Sequence, residues 1–441
     1  MFNTHIKEFN ENIAGLREFV NLLEPILTQK RDAYTKKIAP LLISGAIKKY
    51  KQRINADANP EELVQLLELE SKIDEDIKSL YDEQINIELD FGDDDSSKSK
   101  NTISISFKAT KAKDITQDLE NSQKIYQHIT LLRKASLISL ISSVEWMFSQ
   151  ILHYYYDRYP ESAGILKQTL TLSELKTFES IKDAEKYLID EKIESILRSN
   201  FESWIKILKE EFKLGLGYLK PDLDHIIEIF QRRNLYVHNG GIVNSIYMAK
   251  VPESQKKKTK FGEELRLSNE YLESAIDKLH QLFILIAAEV WKKSEPESIE
   301  RGDALIEITY ENLLKEKWDI ASGLSLFVIK DAKTDPVNKI ISQLNYWLCK
   351  KRKDQYLEIK SEIDEADFSD KKEIFQLALF ALKEKKQEFF DLLPCVLDSK
   401  QLNISRLEEF PIFSDMRSLP EYFEFKEKTH YFKEENQPIF N

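Results

Sequence analysis

"RRNLYVHNGG", residues 232–241, places two arginines, an asparagine, a histidine and two glycines within ten positions. The residues before it, "DLDHIIEIFQ" (222–231), place Leu223, Ile226, Ile227 and Phe230 at three- and four-residue spacing, and Val237 continues the series. That period predicts an amphipathic helix with these five side chains as its buried stripe. Pro221 and Asp222 suit its first turn. Gly240 or Gly241 supplies the left-handed residue that stops it. Asn234 and His238 are four apart and share a face. Arg233 lies about 140° round the axis from His238, yet its long side chain can reach the same region. His238 falls in the final turn, where the helix dipole favours an imidazolium and the neighbouring arginine opposes it. Such a group suits proton transfer. A basic helix with an ordinary glycine stop would look similar.

Working outward, the 441 residues predict two or three domains with ample core. Glycine (11) and proline (12) are scarce for this length, and Leu, Ile, Lys and Glu are abundant, which indicates a mostly helical protein. The formal charge of −12 argues against a protein that coats nucleic acid nonspecifically, but not against a local basic site. The N-terminus has no basic segment followed by an apolar run, so no signal peptide is expected. The apolar run "LFILIAAEVW" (282–291) is too short for a bilayer. The two cysteines, Cys349 and Cys395, form no metal-ligand cluster. The expected location is the cytoplasm, with no membrane, no metal and no cofactor.

Residues 3–53 read as helix through Ile6, Phe9, Ile13, Leu16, Val20 and Leu23, with Pro25 predicted to kink or divide it. A second helix is expected to begin at Pro60. "INIELDFGDDDSSKSKNTISISF" (85–107) alternates on both sides of a polar tract, which predicts one β-hairpin, about 84–108, whose apolar face needs a cover. A long helix is expected over 118–159. Ser136, Ser139 and Ser143 lie close together on one side of it, as a close-approach surface or a polar face. Beyond 296 several amphipathic helices follow one another, including "WDIASGLSLFVI" (318–329) and "IFQLALFALKE" (374–384). They read as stacked hairpins or a plain bundle, without a constant period.

The stretch "RRNLYVHNGGIVNSIY" (232–247) resembles the HEPN family, whose signature is an arginine, a polar residue, a few spacers and a histidine. Arg233, Asn234 and His238 fill those places. "HNGGIVN" (238–244) is similar to HEPN proteins of bacterial toxin and antiviral defence systems. A long helix "SLISLISSVEWMFSQILHYYYDRY" (136–159) precedes the motif, and "SNEYLESAIDKLHQLFILIAAEVW" (268–291) follows it with Ser268 as N-cap. The resemblance covers about residues 121–295. It implies a HEPN four-helix bundle core, and with the periodicities above the reading is an all-α protein with that core, additional helical regions and one β-hairpin. The expected parts are an N-terminal helical region with the hairpin (1–120), the HEPN domain (121–295) and a C-terminal helical domain, TPR-like or a plain bundle (296–441).

The resemblance implies a metal-independent endoribonuclease that works as a homodimer, with two motif helices facing one cleft. The RNA 2′-hydroxyl would attack the adjacent phosphate while His238 shuttles a proton. Arg233 would hold the phosphate, and Asn234 would orient His238 or a phosphate oxygen. Asn239 and Tyr236 are supporting candidates. Glu145, where HEPN proteins often carry an acidic residue, would pair with Arg233 or be a surface glutamate. Arg232 and the basic loop "SQKKKTK" (254–260), with Lys256, Lys257, Lys258 and Lys260, would guide RNA, or the loop is simply solvated. Tyr236 and Tyr247 suit base stacking or the core equally, and "HYYYDRY" (153–159) reads as packing. A regulatory partner or antitoxin is expected to restrain such an activity. The alternative is a HEPN nucleotide- or RNA-binding module, or a helical interaction protein, without catalysis.

Overall fold

The computed structural model describes residues 2–53, 60–81, 86–91, 103–108, 112–429 and 431–432. The protein is predominantly helical. In chain order come α1 (Phe2–Arg53), α2 (Pro60–Tyr81), strands β1 (Asn86–Phe91) and β2 (Ile103–Lys108), and α3 (Ala112–Arg158). A short α4 (Leu172–Leu175), α5 (Ile181–Leu197), α6 (Phe201–Glu210), α7 (Leu223–Asn239), α8 (Ser245–Lys250), α9 (Glu253–Lys256) and α10 (Asn269–Ser294) follow. Then come α11 (Glu300–Leu314), α12 (Trp318–Lys330), α13 (Pro336–Arg352), α14 (Tyr356–Glu365), α15 (Glu373–Leu382) and α16 (Lys386–Asp398), with shorter helices after them. The chain divides into two compact units, one of Met1–Leu16 with Leu137–Asn441 and one of Arg17–Ser136.

In the Arg17–Ser136 unit, Pro25 and Pro40 sit inside α1 without ending it. Each proline removes one intrahelical donor, yet the helix continues on both sides of both. A half-buried ion pair, Arg133 with Glu24, joins α3 to α1, with Arg133 Nε 3.2 Å from the carboxylate. β1 and β2 pair antiparallel, Ile87 opposite Phe107 and Leu89 opposite Ile105. The polar tract 92–102 and the expected cover of the apolar face lie outside the described residues. Of the three serines on α3, Ser136 is buried with its hydroxyl on the Leu132 carbonyl (2.8 Å), whereas Ser139 is exposed.

The other unit is built on α10. From Leu282 to Trp291 nearly every side chain is buried, so the apolar run is a core helix surrounded on all sides. Ser268 caps its first turn by accepting from the Tyr271 amide. Leu140, Ile141, Val144, Met147, Phe148, Ile151 and Leu152 of α3 are fully buried at helical spacing. Within Asp114–Arg158 one stretch, longer than the apolar run 282–291, is long and apolar enough by length and composition to cross a bilayer; half of it is buried inside the protein. Phe148 stacks on Trp204 of α6 (4.4 Å between centroids) and meets Phe283 of α10 edge-on. Trp204 in turn meets Phe230 of α7 edge-on. One aromatic cluster thus joins α3, α6, α7 and α10. The tyrosines of 153–159 do pack: Tyr154 stacks on Phe2 and Tyr155 on Phe212. The first turns of α1 close the unit, with Asn10 bonded to both His280 (3.0 Å) and Glu311 (2.6 Å).

The C-terminal helices repeat a pattern that the sequence hides. α11, α13 and α15 begin at Glu300, Pro336 and Glu373, at almost even spacing, and each is followed by a second helix. α11, α13, α15 and α16 end alike, with Glu316, Asp354, Glu384 and Lys400 in the left-handed region (φ 56°, 57°, 56° and 55°). After each, the next amide reaches back five residues, as Lys317 N does to Asn312 O (2.8 Å) and Lys385 N to Phe380 O (2.9 Å). This is the Schellman closure, made without the glycine that normally marks it. Cys349 is buried, Cys395 is exposed and both are free.

Arg301, almost fully enclosed, anchors the start of this array. Its Nε donates to Asp331 (2.8 Å) and its Nη1 to the Glu295 carbonyl (3.1 Å). Burial disfavours the Asp331 carboxylate, but the Arg301 guanidinium outweighs it and holds the pKa below the usual aspartate range. A lowered folded-state pKa gives stability that is present above the unfolded value of 3.8 and lost as pH falls through the folded one. Asp331→Asn, which leaves Arg301 unpaired, should therefore cost about 3–5 kcal/mol near pH 7. Thermal unfolding of both proteins from pH 7 to pH 3 should show that deficit shrinking only below about pH 4.

Candidate active site

α7 begins at Leu223, two residues after the proline expected in its first turn. Asp222 stands at the N-cap position, but its carboxylate pairs with Lys278 instead of capping the helix. Ile226, Ile227, Ile229, Phe230 and Leu235 are buried. Val237 is not: it is 47% exposed, so the stripe ends a turn earlier than the spacing predicts. In the last turn of α7 Tyr236 is buried while Val237 and His238 face outward.

The helix stops at Gly240, φ 62°, as a left-handed C-cap. Gly241 follows at φ 97°, its amide on the Leu235 carbonyl (3.2 Å). The chain after it is held against 262–265: Val243 N bonds Glu263 O (2.8 Å) and Leu265 N bonds Gly241 O (2.9 Å). A β-carbon at Gly241 would lie 2.8 Å from the Tyr236 ring. That ring cannot easily yield, because the Tyr236 hydroxyl donates to the Leu265 carbonyl (3.0 Å).

A cleft of about 490 Å³ opens over this end of α7. Glu145, Arg233, Asn234, His238 and Asn239 all line it. Arg233 reaches from α7 to the carboxylate of Glu145 on α3, and its Nη1 donates to Asn234 Oδ1 (3.2 Å). Its Nε is enclosed and has no partner. Glu145 is thus the arginine's partner and not a lone surface glutamate. His238 is exposed at the rim. The Asn239 amide donates to the Ile242 carbonyl, which shapes the turn below the histidine. Guanidinium, amide and imidazole on one concave surface can bind a phosphodiester, stabilise its charge and move a proton.

Other sequence candidates lie elsewhere. Arg232 is turned away, contrary to its reading as an RNA contact. One residue along a helix is a rotation of about 100°, and Arg232 points to the buried Glu228, which accepts from its Nε (2.7 Å). Its guanidinium lies 4.0 Å over the Tyr271 ring. The hydroxyls of Tyr247 and Tyr271 also donate to Glu228. This enclosed carboxylate was not foreseen, since an acidic residue amid isoleucines reads as the polar face. Tyr236 is a core residue and does not line the cleft; burial pushes its phenol up to about 12. Tyr247 is buried yet lines the cleft wall. Lys256 pairs with Glu253 (2.6 Å), and Lys257, Lys258 and Lys260 are exposed. None of the four lysines lines the cleft.

The cleft adds residues that the sequence reading passed over: Arg198 and Asn200 from the α5–α6 turn, Gln231 from α7, and Asn244, Ile246 and Lys250 from α8 and its cap. Asn200 and Asn244 carry a readable signal, an asparagine N-cap, accepting from the amides of Ser203 and Tyr247. Among the described residues no group of three His, Cys, Asp or Glu side chains is placed to hold a metal ion.

No protein-family model, no curated protein and no solved structure matches this chain.

Gly241→Ala should lower stability by about 1–3 kcal/mol or more, through the positive φ and the approach to Tyr236. Gly240→Ala, with open space around its β-carbon, should cost less. Urea denaturation of both variants measures the difference.

Proposed function

We propose that this chain is a metal-independent endoribonuclease of the HEPN kind, a toxin or antiviral-defence effector acting in the cytoplasm. The observation that carries the reading is the meeting of Arg233, Asn234 and His238 in one cleft, with Glu145 of α3 on the arginine. The joining of α3, α6, α7 and α10 through one aromatic cluster supports the four-helix HEPN core that the motif implies.

In this reading the 2′-hydroxyl of the bound RNA attacks its own 3′-phosphate. His238 takes the hydroxyl proton as the 2′-oxygen bonds to phosphorus. The bond from phosphorus to the 5′-oxygen breaks, and the imidazolium returns a proton to that oxygen. The products are a 2′,3′-cyclic phosphate and a 5′-hydroxyl, and DNA is not cut. Arg233 neutralises the charge growing on the phosphate. Because Glu145 already holds this guanidinium, the phosphate must compete with the carboxylate or share the arginine with it. The reading includes a homodimer through the motif helices. Val237, Ile242 and Ile246, exposed apolar residues next to the cleft, support that arrangement. A regulatory partner or antitoxin and the absence of a membrane are parts of the same proposal.

A second reading, a module that binds RNA or nucleotide without cutting, is favoured by the same engagement of Arg233 with Glu145 and Asn234. Cleavage separates the two. Purified protein with cellular RNA in EDTA should yield cyclic-phosphate ends. His238→Ala should lower the rate by about 100-fold or more, as loss of a general acid–base does, and Arg233→Ala by about 100- to 1000-fold. Equal cleavage by wild type and His238→Ala would refute the assignment. RNA binding without cleavage would favour the module.

A further inference from the structure

Gln231 lies on α7, seven residues before His238 and three before Asn234. At that spacing the three side chains form one stripe along a single face of the helix. Gln231 is 6% exposed and lines the cleft. Its side-chain amide has no hydrogen-bond partner among the described residues. It is also absent from the fully enclosed orphan atoms, so the amide opens onto the cleft. Of the buried polar groups nearby, Glu228 receives three donors and the Trp204 indole donates to the Ile196 carbonyl (2.9 Å), whereas the Nε of Arg233, on the same cleft, is likewise without a partner. An amide that bonds nothing within the protein and opens onto a cleft is free to bond a ligand there.

We propose that Gln231 reads the nucleobase of the RNA at this cleft, and so sets base preference next to the cleaved phosphate; this rests on the RNA reading above. A primary amide presents one acceptor and two donors side by side. A nucleobase edge presents the complementary pair, and glutamine matches adenine best, through its amino group and neighbouring ring nitrogen. Adenine has such a ring nitrogen on either side of its amino group. Gln231 lies about 10 Å from His238 along the helix axis, comparable to the span from phosphate to base edge in one nucleotide. Phe201, Trp204 and Phe230, which also line the cleft, give the base an apolar wall. Asn200 and Asn244 use their oxygens to cap α6 and α8, which leaves their amide nitrogens for the sugar or phosphate. The chain would thus cut single-stranded RNA beside adenine, since a paired base hides one of these edges.

The test compares wild type with Gln231→Met, which keeps the side-chain length and removes the amide. Calorimetric titration with 5′-AMP, 5′-CMP, 5′-GMP and 5′-UMP is run beside mapping of cleavage ends in cellular RNA. Wild type should bind 5′-AMP about 5- to 150-fold tighter than the other three, the worth of one bidentate pair. Gln231→Met should lose that ratio while keeping its melting temperature, because the amide opens onto the cleft and bonds nothing within the protein. A merely structural glutamine would lower the melting temperature and leave the ratios unchanged. Equal binding of all four nucleotides by wild type, no binding, or the same ratios in Gln231→Met would each overturn the proposal. His238-dependent cleavage with the same base preference in both proteins would sink this inference and spare the nuclease. A Gln231-dependent preference for 5′-AMP without cleavage would do the reverse.

Discussion

The indole of Trp204 is the contact on which the candidate site depends. It is fully enclosed, stacked on Phe148, set edge-on against Phe230 and Phe283, and hydrogen-bonded through nitrogen to the end of α5. Those partners come from α3, α7 and α10 and from the last turn of α5. Close-packed aromatic faces tolerate little sliding. Fixing Phe148 fixes Glu145 one turn earlier on α3. Fixing Phe230 fixes Arg233 one turn later on α7. Glu145 and Arg233 therefore meet because the rings beneath them leave each helix one rotation.

A second constraint sets which arginine faces the cleft. Arg232 and Arg233 are chemically identical neighbours. Arg232 is drawn inward by the enclosed Glu228, which the Tyr247 and Tyr271 hydroxyls also serve. A buried carboxylate is tolerable only when its lone pairs are satisfied, and here a guanidinium and two phenols do so. With Arg232 committed to the core, Arg233 is the guanidinium left for the cleft. Tyr247 belongs to both systems, since its ring lines the cleft while its hydroxyl serves Glu228. The buried network and the surface chemistry are thus mechanically one piece.

Much of this was legible beforehand, for reasons that differ by residue. The helix over 223–239 and its glycine stop follow from local periodicity and backbone conformation, which neighbours in sequence largely control. The Ser268 cap and the Pro60 helix start are equally local. The C-terminal helices were legible as stacked hairpins or a bundle, but their regular spacing was not. Their turns use Glu316, Asp354, Glu384 and Lys400 where glycine normally advertises a left-handed residue. Arg198, Asn200 and Lys250 were missed as well, because each reaches the cleft from a different element and no spacing connects them to His238.

The sequence by itself determined a helical protein, the glycine stop of α7 and the grouping of Asn234 and His238 on one face. These depend on interactions within about four residues, which a linear pattern can express. Tertiary structure alone decided that Glu145 is the partner of Arg233, that Arg232 and Tyr236 belong to the core, and that Val237 is exposed. It also decided that Gln231 keeps its amide free in the cleft. The physical reason is that burial and electrostatic pairing are set by whichever surface lies opposite, and much of that surface comes from α3 and α10, distant in the chain.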